Sequence, residues 1–332
     1  MQKIGLALFL ALSFAACADE ATLDARLTQE VERLQATLDA IDPATLPKEL
    51  ADAPKTYGDA LTRVRNTKST EYKLFRLRDT FTGIELLDFF SKHHKAGESA
   101  EAVAALSKER KPDFDKKVKL PADPALVRAI GEHATNRAEV LFVAGPSYAK
   151  ISAPWSGLYY LAEAEGNLRL RNFIATLPAS GAAEPKPKRE RLVELANQLE
   201  AEALKLFEHE PGGNQVVGAS VKLKEARELL DDNRLDGAAL VLIETRLALS
   251  RRKAEIDPGN VTEGPKAAAM KPATGSVAKL LAGMAEEGVA PLPAIVPRDV
   301  VPFHASLLQS VSGKKSAAPA SVTVTLVRWP YT

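Results

Sequence analysis

The sequence predicts a mainly α protein, a multi-helix bundle or irregular antiparallel helical array that closes on a short extended or β segment. Three observations carry this expectation. Apolar residues recur at steps of three and four through most of the chain, the spacing of one helix face. Ala, Leu, Glu, Lys and Arg, the strong helix formers, are abundant. Only the last segment, Ser321 to Trp329, alternates Thr with Val322, Val324 and Leu326, the period of a strand. With 332 residues and 45% hydrophobic content the chain can bury a substantial core, as one large or two modest domains. Lys and Arg number 44 against 43 Asp and Glu, so no net field draws the chain to nucleic acid or to an anionic membrane surface.

Residues 1–18 have the pattern of an export signal. Lys3 supplies the positive start, Ile4 to Ala16 the apolar stretch, and small residues follow. Thirteen apolar residues are too few for a membrane-spanning helix. Ala16-Cys17-Ala18 fits a cleavage site that discards Cys17. Phe14-Ala15-Ala16-Cys17 instead resembles the bacterial lipoprotein box, with Phe14 in place of the usual Leu, and this implies a lipidated Cys17 at the new N-terminus. Cys17 is the only cysteine and stands where a lipoprotein needs one, which tips the reading toward lipidation. By that resemblance Ala18, in place of Asp, implies the outer membrane. Either way the chain beyond it has no internal disulfide and no thiol chemistry.

Residues 19–177 form an N-terminal helical region. Leu27, Val31, Leu34, Leu38 and Ile41 step by four and three until Asp42-Pro43 stops them. After a loop from Pro43 to Pro54, Tyr57, Ala60, Leu61 and Val64 begin a stripe that Leu74, Leu77, Phe81, Ile84 and Leu87 continue, and Phe75, Phe89 and Phe90 widen it. Gly97 offers a stop, and Ser99 a cap for a shorter helix to Arg110. Lys111 to Asp123, charged and proline-bearing, is expected as loop. Asp123-Pro124 opens a helix whose face holds Leu126, Ala129, Ile130, His133, Val140 and Leu141, with Gly145-Pro146 expected to close it. Ser152-Ala153-Pro154 opens the next, with Leu158, Leu161, Leu168 and Ile174 inside.

Residues 178–188 turn to Pro, Ala, Gly and Lys and are expected as the linker. Residues 189–256 follow as a helical hairpin region. Leu192, Leu195, Ala196, Leu199, Ala203, Leu206 and Phe207 give an amphipathic helix. Val221, Leu223, Ala226, Leu229 and Leu230, then Leu235, Ala239, Leu242, Ile243 and Leu247, flank Asp231-Asp232-Asn233-Arg234, whose short polar side chains favour a turn. Leu240 to Ile243 is apolar on every side and predicts a central helix. Ala226, Leu229, Leu230, Ala238, Ala239, Leu242 and the trailing Asp257-Pro258 resemble one tetratricopeptide unit. No second copy follows at a fixed period, and stacking requires about three. Residues 257–332 form a proline-rich C-terminal region with a short helix capped by Ser276 and the terminal strand, which Ile295 to Val301 or a sheet edge on another protein would pair.

Catalytic signatures are absent from the sequence. There is no G-x-S-x-G, H-E-x-x-H or phosphate-binding loop, and Asp232 to Gly237 fails as a calcium loop because Arg234 takes a ligand position. His93-His94 suits a helix end, His133 an apolar helix face, and His209 and His304 have no neighbour in sequence. Glu163 and Glu165, two apart on a helix, point to different faces. No catalytic residue, metal site or cofactor is implied. The one concentration above background is Tyr148, Trp155, Tyr159 and Tyr160, with three of six tyrosines and one of two tryptophans. Rigid rings with polar tips suit a binding surface, and they suit a helix junction equally.

These observations point to a non-catalytic exported envelope protein, periplasmic or anchored in the outer membrane of a bacterium through Cys17. It would act as a helical scaffold or interaction module for a protein partner, without nucleic acid. The alternative is a periplasmic small-ligand-binding protein with an aromatic pocket near Trp155. A hydrolytic or metal-dependent enzyme comes third.

Overall fold

The computed structural model describes residues 22–179, 184, 186–209, 214–256 and 275–286. Cys17, the proline-rich stretch and the expected strand at Ser321 to Trp329 lie outside these. Among the described residues the fold is all α, as the periodicity predicts. They fall into two compact units, one within Met1–Asp123 and Ile130–Ala183, the other within Pro124–Ala129 and Glu184–Thr332.

In the first unit α1 (residues 22–39) buries Leu27, Val31, Leu34 and Leu38, with Ile41 just past its end. The Asp42 carboxylate accepts from the Ala44 amide and turns the chain through Pro43–Thr45. α2 (Ala53–Asn66) buries Leu61 and Val64. The stripe read from sequence does not run on unbroken: the helix stops at Asn66, and Ser69 caps α3 (Thr70–His93) by accepting from the Tyr72 amide. α3 is buried round most of its circumference, which is why its apolar residues look spread rather than striped. After the turn at His94–Glu98, Ser99 caps α4 (Ala100–Asp115) through the Ala102 amide.

Two helices outrun the expected breakers. α4 passes Arg110 and contains Pro112, its last turn tied by Lys111 to Asp115 at 2.6 Å and Arg110 to Asp113 at 2.9 Å. α5 (Ala125–Ile151) continues through Gly145-Pro146. Pro146 deprives one carbonyl of its amide, a loss of about 3 kcal/mol in an isolated helix, but Leu141, Gly145 and Ala149 on the same stretch are buried and packing outweighs it. α6 (Pro154–Ile174) starts on Pro154 as expected and buries Leu158, Leu161, Leu168 and Ile174. It lies so close to α3 that a methyl group at Gly166 would stand 2.5 Å from the Thr82 carbonyl oxygen.

The second unit is built on α7 (Arg189–His209), α8 (Asn214–Asp231) and α9 (Leu235–Ile256). Leu192, Leu195, Ala196 and Leu199 of α7 meet Leu223, Ala226 and Leu229 of α8 and Ala238, Val241 and Leu242 of α9 in one core. Every residue of α9 from Asp236 to Ile243 is buried, so the run apolar on all sides is central to this unit. Val221, placed in the α8 stripe by its spacing, is 57% exposed instead. The α8–α9 turn is a two-bond cap, with the Arg234 amide on the Leu229 carbonyl at 2.8 Å and the Asn233 amide on the Leu230 carbonyl at 3.0 Å. Asn233 takes the left-handed conformation this requires, at φ 57°.

Contacts distant in sequence complete the unit. The Arg128 guanidinium, in the first turn of α5, meets the buried Asp236 carboxylate with two bonds of 2.6 and 3.0 Å. The Glu184 carboxylate accepts from the amides of Ala125 and Ser276 and from the Ser276 hydroxyl, whose oxygen in turn accepts from the Leu126 amide. One carboxylate thus serves the N-termini of α5 and of α10 (Ser276–Glu286), where the helix dipoles favour negative charge.

Asn233→Gly is expected to leave urea stability unchanged within ~0.5 kcal/mol, whereas Asn233→Val, whose branched side chain clashes at positive φ, costs ~1–2 kcal/mol. Equal loss from both would show that the Asn side chain, not the backbone conformation, holds the turn.

Candidate functional site

The aromatic concentration maps to the junction of α5 and α6. The junction is tight because a methyl group at Gly157 would stand 2.5 Å from the Ala149 Cβ and 2.6 Å from the Gly145 carbonyl oxygen. This closeness brings the Tyr148 and Tyr160 rings into a stack with centroids 4.3 Å apart, and Tyr159 meets Tyr160 edge-on at 6.5 Å. Trp155 is 47% exposed, its Cα 3.3 Å from where a Cβ on Gly97 would lie.

Tyr57 joins the cluster from α2, a residue the local count does not reach. Its ring lies over Gly83 of α3, where a methyl would stand 2.1 Å from the ring carbon Cζ. Burial raises the Tyr57 hydroxyl above its ordinary 10.0, and Tyr159, Asp79 and Glu163 add to the rise. Burial likewise raises Tyr159, with Glu163 adding and Arg137 opposing. Glu163 is paired with Arg137.

The same stretch of α5 presents an apolar face to solvent. Among the described residues eight large hydrophobic side chains are exposed, and five of them, Val140, Val143, Tyr148, Ile151 and Trp155, fall within sixteen consecutive residues. Val143 is 73% exposed and Ile151 78%. Val140, expected on the core side with Leu141, belongs to this outer face. At about 100° per residue Val140, Val143, Tyr148 and Ile151 span an arc of about 140°, with Tyr148 at the edge that turns toward Tyr160 of α6.

A second constellation was not legible in sequence. Between α3 and α6, Glu85 is 1% exposed and accepts from Arg33 at 2.5 Å and from Arg169. Arg169 also reaches Asp88 at 3.0 Å and Glu165 at 3.0 Å, and Arg110 reaches the same Glu165 oxygen at 2.8 Å. Glu163 and Glu165 do point to different faces, one to Arg137 and the other into this network. Burial pulls the Arg169 guanidinium down, but Glu85 and Glu165 outweigh it and hold the group above its ordinary value. His93 meets the Phe89 ring at a tilt of 38° with centroids 4.4 Å apart, and burial lowers its pKa below 6.5. The neighbouring His94 meets the Ser91 carbonyl at 2.8 Å, a helix-end role as expected.

With a guanidinium on each buried carboxylate, this network locks helices together; it does not have the free carboxylate pair that acid–base chemistry uses. Among the described residues no cluster of His, Cys, Asp and Glu has the arrangement to hold a metal ion, and no helix is long and apolar enough to cross a membrane. Comparison with family models, curated proteins and solved structures finds no match for this chain.

Glu85→Gln removes one charge partner from Arg33, which keeps Glu30, and one from Arg169, which keeps Asp88 and Glu165, and is expected to cost ~1.5–3 kcal/mol in urea unfolding; a loss below ~0.5 kcal/mol would mean that the remaining partners and solvent already compensate for it. For the tyrosines, stability is fully present below about pH 10 and falls as pH rises beyond it, because the unfolded chain releases its phenol protons first. Tyr57→Phe should make that fall shallower and remove one late-ionising group from the absorbance titration at alkaline pH.

Proposed function

We propose that this chain is a non-catalytic exported envelope protein that works by contact, offering the outer face of α5 and the start of α6 to a protein partner. The observation that carries the reading is the gathering of five of the eight exposed large hydrophobic side chains into residues 140–155. Isolated surface hydrophobics are ordinary, whereas a contiguous apolar face with aromatic anchors is the composition of an interface centre. The leader pattern of residues 1–18 supports export, and Cys17 supplies the anchor if it is kept and lipidated. A two-dimensional search along a membrane suits a protein whose work is docking.

A photo-crosslinking residue placed at Val143 in the native envelope is expected to give discrete protein adducts, and one at the exposed Val193 of α7 is not. Adducts from neither position, or from both alike, would overturn the reading. Intact mass on the same sample tests the anchor: a diacylglycerol-bearing Cys17 as first residue supports it, and a chain beginning after Cys17 removes it.

A further inference from the structure

Two phenol rings stacked at a surface have chemistry open to them that a single ring lacks. Tyr148 stands in the last turn of α5 and Tyr160 in the second turn of α6, and their ring centroids are 4.3 Å apart with the planes inclined by 25°. The corner between them has no slack, since Gly157 admits no methyl group. Burial raises the Tyr160 hydroxyl above its ordinary value, and the bond it donates to the Tyr148 oxygen adds to the rise. The two phenol oxygens therefore lie at the same end of the stack. Near-parallel rings with their oxygens side by side also set ortho carbon against ortho carbon. Tyr148 is 39% exposed, so a reagent in solution can reach the pair. Tyr159, the next residue in the chain, meets Tyr160 edge-on, at 87° and 6.5 Å.

We propose that Tyr148 and Tyr160 form an oxidative crosslinking site, joined ortho carbon to ortho carbon as dityrosine when a haem peroxidase brings hydrogen peroxide to bear on this face. Each phenol gives up one electron and one proton. The resulting phenoxyl radical carries its unpaired electron on the oxygen and on the ortho and para ring carbons, and the side chain blocks the para carbon. The two radicals form one carbon–carbon bond between ortho carbons; the hydrogen on each bonded carbon then leaves as a proton and its oxygen is protonated, which restores both phenols. One hydrogen peroxide takes up the two electrons and two protons and becomes two waters. The chain loses two hydrogen atoms and gains none. Because the stack holds both rings in place, coupling is a step within one molecule and needs no encounter between chains. The new bond staples the last turn of α5 to α6 across Gly157.

The test treats the full chain, in dilute solution, with a catalytic amount of a haem peroxidase and one equivalent of hydrogen peroxide. Trypsin cuts after Arg137, Lys150 and Arg169, so Tyr148 and Tyr160 fall in separate peptides, 138–150 and 151–169. Dityrosine fluorescence is expected, with a monomer lighter by two hydrogen atoms and these two peptides recovered as one joined species. Tyr148→Phe and Tyr160→Phe should each abolish the joined species, and Tyr159→Phe should leave it, with circular dichroism to show that each variant is folded. Tyr159 and Tyr160 are neighbours in sequence, so the contrast between them reads the stack and not nearness along the chain. A joined species that survives Tyr160→Phe, or is lost in Tyr159→Phe, would overturn the proposal. So would dityrosine found only between chains, or none at all where a parallel mixture couples N-acetyltyrosine.

Discussion

The first unit depends on how three carboxylates are paired out of water. The approach of α3 to α6 at Thr82 and Gly166 leaves room for backbone and little else, and Glu85, Asp88 and Glu165 come with it into the interior. An unpaired carboxylate there would cost several kcal/mol, so the helices can pack this closely only where guanidinium groups arrive with them. Arg169 comes from α6 itself, Arg33 from α1 and Arg110 from α4. The charge requirement therefore reaches beyond the helix pair that creates it. It fixes the register of α1 and α4, which apolar stripes alone would let slide by a turn.

The second unit meets the same kind of constraint at helix ends. The first turns of α5 and α10 carry amides with no partner in their own helices, and Glu184 and Ser276 satisfy them from elsewhere in the chain. The first turn of α9 holds Asp236 against Arg128. Around these polar clamps α7, α8 and α9 share an apolar core, with Thr245 and Arg246, the latter paired with Glu202, buried beside it, a division that leaves hydrophobic area to supply most of the stability and the polar bonds to select the arrangement.

This division explains what was legible beforehand. The α1 stripe and its stop at Asp42-Pro43, the Ser99 cap, the polar turn at Asn233 and the all-round apolar run of α9 are local patterns, and local physics suffices for them. Pro112 and Gly145-Pro146 misled because a breaker signals only its own cost, whereas ion pairs at the α4 terminus and packing on α5 are set elsewhere. The network of Glu85, Glu165 and Arg169 was hidden for a related reason: charges at helical spacing look solvated until a second helix removes the water. The tyrosine concentration was visible as composition, but Tyr57 joins it from about ninety residues away in sequence.

Periodicity also shows that a helix has an apolar face without showing that the face is covered. α5 illustrates the difference, and its residue types say more. Val140, Val143 and Ile151 are β-branched, and at exposed helical positions each weakens the helix by up to about 0.7 kcal/mol relative to Ala, while Val143 and Ile151 gain little burial in this chain. Tyr148 and Trp155 add rings that stay partly exposed, at 39% and 47%. A helix under selection for stability alone would carry Ala, Glu or Lys there, as it does at Glu139 and Lys150. Residues that lower the stability of the helix bearing them and gather on one side of it support the docking role proposed for this face.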